Sequence, residues 1–294
     1  MAEANEKRPK FRRKYIQLIS ALVYNANIKG FSDGVIYFGN LKGVCVPGLN
    51  CYSCPGAVAS CPLGSLQNAV ASSGRTIPFY IIGTLLLFGA LFGRFICGRF
   101  ICGFLCPFGL IQELLYKIPS PKLKKSKVTR KLSCLKYILL AVFVVILPLM
   151  FAYPGFCKYI CPAGTLEAGI PLMMYDETIA SLRGALFNWK AAVLAAVVIG
   201  AVIVYRGFCR FICPLGAIYS FFNRISIVGV TVDEAKCTKC GHCVRMCKMD
   251  IKNVGDRECI SCGECMDVCP EDAVYWKLRR KSTDTETKQE EASL

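Results

Sequence analysis

Histidine is almost absent: the 294-residue chain has one, His242, and it sits inside a run of cysteines. Proton relays and haem ligation built on histidine therefore have nothing to stand on, and His242 itself is expected at the surface. No Ser–His–Asp set, glycine-rich dinucleotide fingerprint or phosphate-binding P-loop can be traced, which removes acyl transfer, nicotinamide chemistry and nucleotide hydrolysis. Acidic residues are scarce, 20 against 36 basic ones, so the formal net charge is +16. A nucleic-acid binder would interleave that charge with aromatics on a soluble face. Here the basic residues fall in two blocks beside apolar segments, at 7–14 and 117–136, and no nucleic-acid partner is expected. The basic start runs into a segment without a small-residue cleavage site, so no cleavable leader is expected.

What the chain has in excess is cysteine, 20 residues, together with 54% hydrophobic residues. Residues 93–109, GRFICGRFICGFLCPFG, set the pattern: Cys97, Cys102 and Cys106 close an apolar run, and Cys106 opens a Cys-Pro-x-Gly motif. The motif recurs at Cys61-Pro62-Leu63-Gly64, Cys161-Pro162-Ala163-Gly164 and Cys213-Pro214-Leu215-Gly216. In three copies a second cysteine (Cys102, Cys157, Cys209) stands four residues earlier, which on a helical turn puts both sulfurs on one face. The proline suits the first position of a new helix, whose N-terminal dipole favours a negatively charged group.

Apolar runs at 77–93, 137–153 and 185–205 approach the ~20 residues that cross a ~30 Å hydrocarbon core. Segment 15–38 is weaker, broken by Asn25, Asn27, Lys29 and Asp33. The excess of Lys and Arg at 117–136 makes that loop cytoplasmic, and the poorly basic loops 39–76 and 154–184 external. With the basic N-terminus also inside, four spans and two cytoplasmic termini result. The expected fold is an α-helical membrane protein of about four transmembrane helices arranged as an inverted repeat, followed by an α+β two-cluster ferredoxin domain. Its divisions are a basic cytoplasmic tail (1–14), the transmembrane domain (15–224), the ferredoxin domain (225–278) and a disordered tail (279–294).

The C-terminal cysteines carry the sharpest signal. Cys237, Cys240, Cys243 and Cys247, followed by Cys259, Cys262, Cys265 and Cys269-Pro270, give Cys-x-x-Cys-x-x-Cys-x-x-x-Cys twice. This is the run of bacterial two-cluster ferredoxins, in which the fourth cysteine of each motif serves the other cluster. One [4Fe-4S] cluster is then expected on Cys237, Cys240, Cys243 and Cys269, the other on Cys259, Cys262, Cys265 and Cys247. Two zinc sites are the competing reading, and zinc motifs rarely repeat four cysteines this way. Lys248 stands where such motifs usually have proline, bringing a positive charge beside a cluster.

The membrane domain is expected to hold one or two further clusters. Cys102, Cys106, Cys209 and Cys213 form an inner, cytoplasmic-side set, with Cys97 as an alternate. Cys54, Cys61, Cys157 and Cys161 form an outer set at the opposite face, with Cys51 as an alternate and a disulfide as the competing outcome. Cys45 and Cys134 are left over, Cys134 as a plain apolar residue. Glu113 and Glu167 follow motifs two and three; helix-capping or surface roles are expected, with quinone protonation as the alternative.

Cys-x-x-x-Cys-Pro repeats around apolar spans, followed by a two-cluster ferredoxin module, resemble the polyferredoxin-type membrane electron-transfer proteins, such as the NapH-type quinol-oxidising subunits and the membrane half of NosR-type proteins. The resemblance covers about residues 75–275 and implies that Cys102/Cys106 and Cys209/Cys213 face the cytoplasm. The chain departs from it in its outer motifs and in lacking a flavin-binding domain. The reading is an electron carrier of a prokaryotic plasma membrane without substrate chemistry of its own. It would sit in membrane lipid and link a cytoplasmic donor protein to a quinone or to a membrane or extracytoplasmic acceptor. A membrane-bound iron–sulfur redox sensor is the alternative, for which no output domain is seen.

Overall fold

The computed structural model describes residues 13–72, 98–123, 125–175, 177–181, 183–223 and 226–277. The expected span 77–93, Cys97, most of the basic tail and the 279–294 tail lie outside these residues.

The Cys-Pro-x-Gly motifs share one local structure. Cys61 precedes α2 (Pro62–Ala71), Cys106 precedes α4 (Pro107–Leu115) and Cys213 precedes α9 (Pro214–Phe222), each cysteine extended at ψ 126°, 115° and 112°. The cause is the proline: it forces its predecessor out of the helical region, while its own fixed φ suits a first helical turn. Ahead of three of these cysteines runs a single-turn helix carrying the earlier one: α3 (Phe100–Phe104) with Cys102, α6 (Gly155–Tyr159) with Cys157 and α8 (Gly207–Phe211) with Cys209.

Two helices are long and apolar enough to cross a membrane, α5 (Val128–Phe151) and α7 (Ala185–Ile203). At 19 residues α7 is about 28 Å long, close to a hydrocarbon core. In α5 the wider turns of Leu140–Ile146 precede Pro148, which could not donate to a regular helical ladder. Both helices share the same two ends. Near the start of α5, Arg130 binds Asp250 at 2.9 Å and Lys136 binds Glu258 at 2.5 and 2.7 Å; its other end leads into Cys157. Near the start of α7, Trp189 Nε1 donates to the Tyr159 carbonyl at 3.0 Å, and its far end leads to Tyr205 beside the ferredoxin cysteines.

The expected first span differs. α1 (Arg13–Tyr24) has 12 residues, about 18 Å, and the chain then turns. The polar residues that interrupt the segment cause this: Asn25 Nδ2 donates to Asn50 Oδ1 at 3.1 Å and Asn27 Nδ2 to the Pro55 carbonyl at 2.9 Å, tying the turn to the next loop. α1 is also inside out. It buries Arg13, Gln17 and Ser20 and exposes Leu18, Ile19, Leu22 and Val23.

The ferredoxin region has little regular structure: β1 (Val230–Val232), α10 (His242–Met246), and β2 (Val274–Trp276) paired antiparallel to β1 with Val230 opposite Trp276. It is fastened to the helical region by buried polar contacts. Asn223 Nδ2 donates to the Cys259 carbonyl at 3.0 Å, and Arg99 and Lys136 converge on Glu258, each at 2.5 Å. Burial works against the Glu258 charge, yet these two cations hold its carboxyl below the ordinary range.

Candidate iron–sulfur centres

Sixteen of the 19 described cysteines gather into four groups of four thiols. Cys237, Cys240, Cys243 and Cys269 line a cavity of about 30 Å³. Cys247, Cys259, Cys262 and Cys265 line a second of about 120 Å³, with Cys243 at its edge. These are the two sets that the crossed division expects to hold separate clusters. His242 lines the first cavity, part-exposed, and Lys248 lines the second while binding Glu264 at 3.1 Å.

The expected inner set, Cys102, Cys106, Cys209 and Cys213, surrounds a cavity of about 10 Å³ beside the ferredoxin region, and is the proximal group. Its half-sites are related by reciprocal contacts. Arg99 Nη2 donates to the Cys209 carbonyl at 3.2 Å, and Arg206 Nη1 donates to the Cys102 carbonyl. Both guanidiniums are fully buried, and glycines make the room: a Cβ at Gly109 would lie 3.2 Å from Arg206, and one at Gly216 3.7 Å from Arg99. Arg206 Nε binds Glu113 at 2.8 Å, and Arg13 holds the same carboxylate at 2.7 and 3.0 Å. Glu113 is therefore the hub of a buried ion network, not the cap or surface residue expected.

The distal group departs from expectation in one ligand position. Cys51, Cys61, Cys157 and Cys161 line a cavity of about 790 Å³, with Cys45 on its wall. Cys54 is absent from that wall: its Sγ faces Asn25 Oδ1 at 3.7 Å. The first motif has no cysteine four residues before Cys61, so its second thiol comes from the loop, and Glu167 fixes which one, its carboxylate accepting the Cys51 N–H at 2.6 Å. Glu167 thus grips a loop instead of capping a helix or meeting solvent, and burial raises its carboxyl to about 7. Cys134 is exposed.

Proximal and distal groups are neighbours, where opposite faces were expected. Leu49 lines both cavities, and Tyr219 Oη, in the proximal wall, donates to the Pro47 carbonyl at 2.8 Å. The loop passes so close that a Cβ at Gly48 would stand 3.0 Å from the Cys106 backbone.

The donor set suits a polynuclear cluster. Burial, then the neighbouring cysteines, raises the thiols of Cys106 and Cys157 to about 12, so the proximal and distal groups need a cationic centre to hold them as thiolates. Among the described residues no three Cys, His, Asp or Glu side chains stand close enough to share one metal ion. A cube takes one thiolate on each of four irons and does not require three of them on one ion.

Several of these residues escaped the sequence reading, although a signal existed. Six positions after each motif cysteine come Gln67, Gln112, Glu167 and Tyr219, and all four reach across to another half-site or to the 47–51 loop. Arg99 and Arg206 each stand three residues before an inner cysteine.

A family model described as a 4Fe-4S binding domain matches residues 77–126, 137–170 and 187–228, and a second of the same description matches 255–275. Uncharacterized protein MJ0749 of Methanocaldococcus jannaschii is 35% identical over 165 residues, 54% of each chain. Uncharacterized protein MJ0750 of the same organism is 31% identical over 201 residues, 65% of this chain and 74% of its own. Methylamine utilization ferredoxin-type protein MauN of Methylobacillus flagellatus is 24% identical over 175 residues, 57% of this chain and 53% of its own. The chain thus spans about half the length of MJ0749 and of MauN. No solved structure matches it. Cluster-binding motifs in more than one region make [4Fe-4S] clusters its cofactors. The chain belongs to the family of the Methanocaldococcus jannaschii protein MJ0750 and is an iron–sulfur protein of the ferredoxin type.

Proposed function

We propose that the chain is an integral membrane electron-transfer protein, akin to the NapH type, that connects a cytoplasmic donor protein to an acceptor at the distal cavity. One observation carries this reading: the four thiol groups form an unbroken series. The two ferredoxin groups share Cys243. The second meets the proximal group where Asn223 holds the Cys259 carbonyl and the Ile260 carbonyl abuts Gly103, next to Cys102. The proximal and distal groups share Leu49. In this reading Cys237, Cys240, Cys243 and Cys269 hold the first cluster and Cys247, Cys259, Cys262 and Cys265 the second. Cys102, Cys106, Cys209 and Cys213 hold the third, and Cys51, Cys61, Cys157 and Cys161 the fourth. Bound [4Fe-4S] clusters supply one-electron chemistry.

Membrane integration is supported by the direction in which apolar surface points. α1 turns its leucines outward and its arginine inward, and Ile138, Met150 and Ile199 are exposed by 59, 70 and 60% on α5 and α7. A soluble helix does the reverse. We place 15–224 in the membrane domain and 225–278 in a ferredoxin domain on the cytoplasmic side, together with both termini. A quinone is the acceptor that fits: the distal cavity is within the range that small-molecule sites occupy, about 300–1,000 Å³, and lies where α5 and α7 end away from the ferredoxin region.

The test uses the full chain in proteoliposomes containing a menaquinone. After reduction of the ferredoxin region by an external low-potential donor, reoxidation is expected in the unsubstituted protein and its loss in Cys213→Ala. An unchanged rate in that variant would overturn the series.

A further inference from the structure

Gln67 and Gln112 hold equivalent places in the two membrane-domain groups. Each lies six residues beyond a motif cysteine, Cys61 or Cys106, and their exposures are 0 and 1%. Each spends its side-chain amide in the same way on the opposite half-site. Gln112 Nε2 stands 3.0 Å from Cys209 Sγ, while its Oε1 accepts the Phe208 N–H at 3.1 Å. Gln67 Nε2 stands 3.1 Å from Cys157 Sγ, while its Oε1 accepts the N–H groups of Phe156 at 2.8 Å and Cys157 at 3.3 Å.

The orientation of both amides is fixed by their other partners. Each Nε2 also donates to a carbonyl of its own helix, Phe108 at 3.3 Å or Leu63 at 3.2 Å. A flipped amide would set oxygen against that carbonyl and nitrogen against backbone N–H groups. One amide hydrogen is thereby committed to the helix, and the other is aimed at sulfur.

Resting on the reading that both groups hold clusters, we propose that Gln67 and Gln112 are positioning residues that set the reduction potentials of the distal and proximal sites through N–H···S bonds across the half-site interface. A reduced cluster carries one more negative charge than an oxidised one, so a donor to its thiolate stabilises the reduced form more and raises the potential. Gln112 acts on Cys209 in the wall of a small cavity of about 10 Å³, Gln67 on Cys157 in the wall of one of about 790 Å³, where water competes for the same sulfur. The Gln112 effect is therefore the larger.

The experiment is an EPR-monitored redox titration of the full chain, purified anaerobically, with iron content measured alongside. Gln112→Leu is expected to keep its iron and to move one midpoint downward by about 59 mV, a tenfold change in the reduced-to-oxidised ratio for one electron. Gln67→Leu moves a different midpoint downward by less. Retained iron with unmoved midpoints would overturn the proposal. Because Oε1 also holds a helix start, the unsubstituted protein labelled with ¹⁵N-glutamine gives a readout that no folding failure can mask. Pulsed EPR should detect side-chain nitrogen coupled to two of the reduced clusters, and its absence would overturn the proposal. Fewer than about sixteen irons, four per cluster, in the unsubstituted protein would mark failure of the underlying reading instead.

Discussion

The proximal and distal groups are built from the same motif and share a buried glutamine, yet differ in most of what else surrounds it. At the proximal group both half-sites supply a helix-turn pair of cysteines, and two fully buried arginines cross between them. At the distal group one thiol comes from a loop, no arginine precedes Cys61 or Cys157 by three residues, and the cavity widens from about 10 to about 790 Å³. Repeated Cys-Pro-x-Gly sequence therefore fixes how a thiol is presented, whereas the surroundings, buried arginines at one group and a loop at the other, set how much space the site encloses. A closed site suits an internal relay, and an open one suits exchange with an acceptor.

The sharpest way to break the comparison is to remove thiols one at a time. Cys213→Ala should lose about four irons, one cluster's worth, and so should Cys51→Ala, whereas Cys54→Ala should keep its full complement by iron and sulfide analysis. Loss of iron in Cys54→Ala with retention in Cys51→Ala would reverse the distal assignment. A difference in access should follow. A water-soluble iron chelator applied to the oxidised protein, with each sample then reduced for EPR, should remove the distal signal before the proximal one, and the opposite order would deny that the large cavity is the open one.

The arginines sharpen the contrast energetically. Arg206→Leu leaves Glu113 short of a buried partner, and breaking such a pair costs about 3–5 kcal/mol, visible as a lowered thermal midpoint. No distal residue is expected to have a counterpart effect. A smaller effect belongs to Glu258, whose folded carboxyl lies below its unfolded value. Its contribution is then fully present at neutral pH and falls away as pH drops below about 4.3, the ordinary glutamate value. In the iron-free protein, Glu258→Gln should cost about 1.5–3 kcal/mol at pH 7. It should also flatten the acid limb of the stability curve; an unchanged limb would detach Glu258 from the docking of the ferredoxin region.

Much of the site was legible because cysteine spacing reports local geometry directly. Cys102/Cys106 and Cys209/Cys213 line one cavity and the eight ferredoxin cysteines line two, as their spacing on helical turns leads one to expect; the clusters assigned to them are proposed. What escaped was set by tertiary contacts. Nothing local distinguishes Cys51 from Cys54; the choice is made by Glu167, more than a hundred residues away. The segment 15–38 was expected to cross as one span because its polar residues looked like interruptions. They are anchors instead, through Asn25 and Asn27, and they end α1 at Tyr24. Likewise, loops expected on opposite faces come together because residues 47–51 thread between the half-sites, which no hydropathy pattern encodes.

The central claim is that both membrane-domain groups hold a cluster in addition to the two of the ferredoxin region. Iron and acid-labile sulfide per chain, measured on anaerobically purified full-length protein, test it most directly. About sixteen of each are predicted for four [4Fe-4S] clusters, and about eight would contradict the account by leaving the membrane thiols without iron.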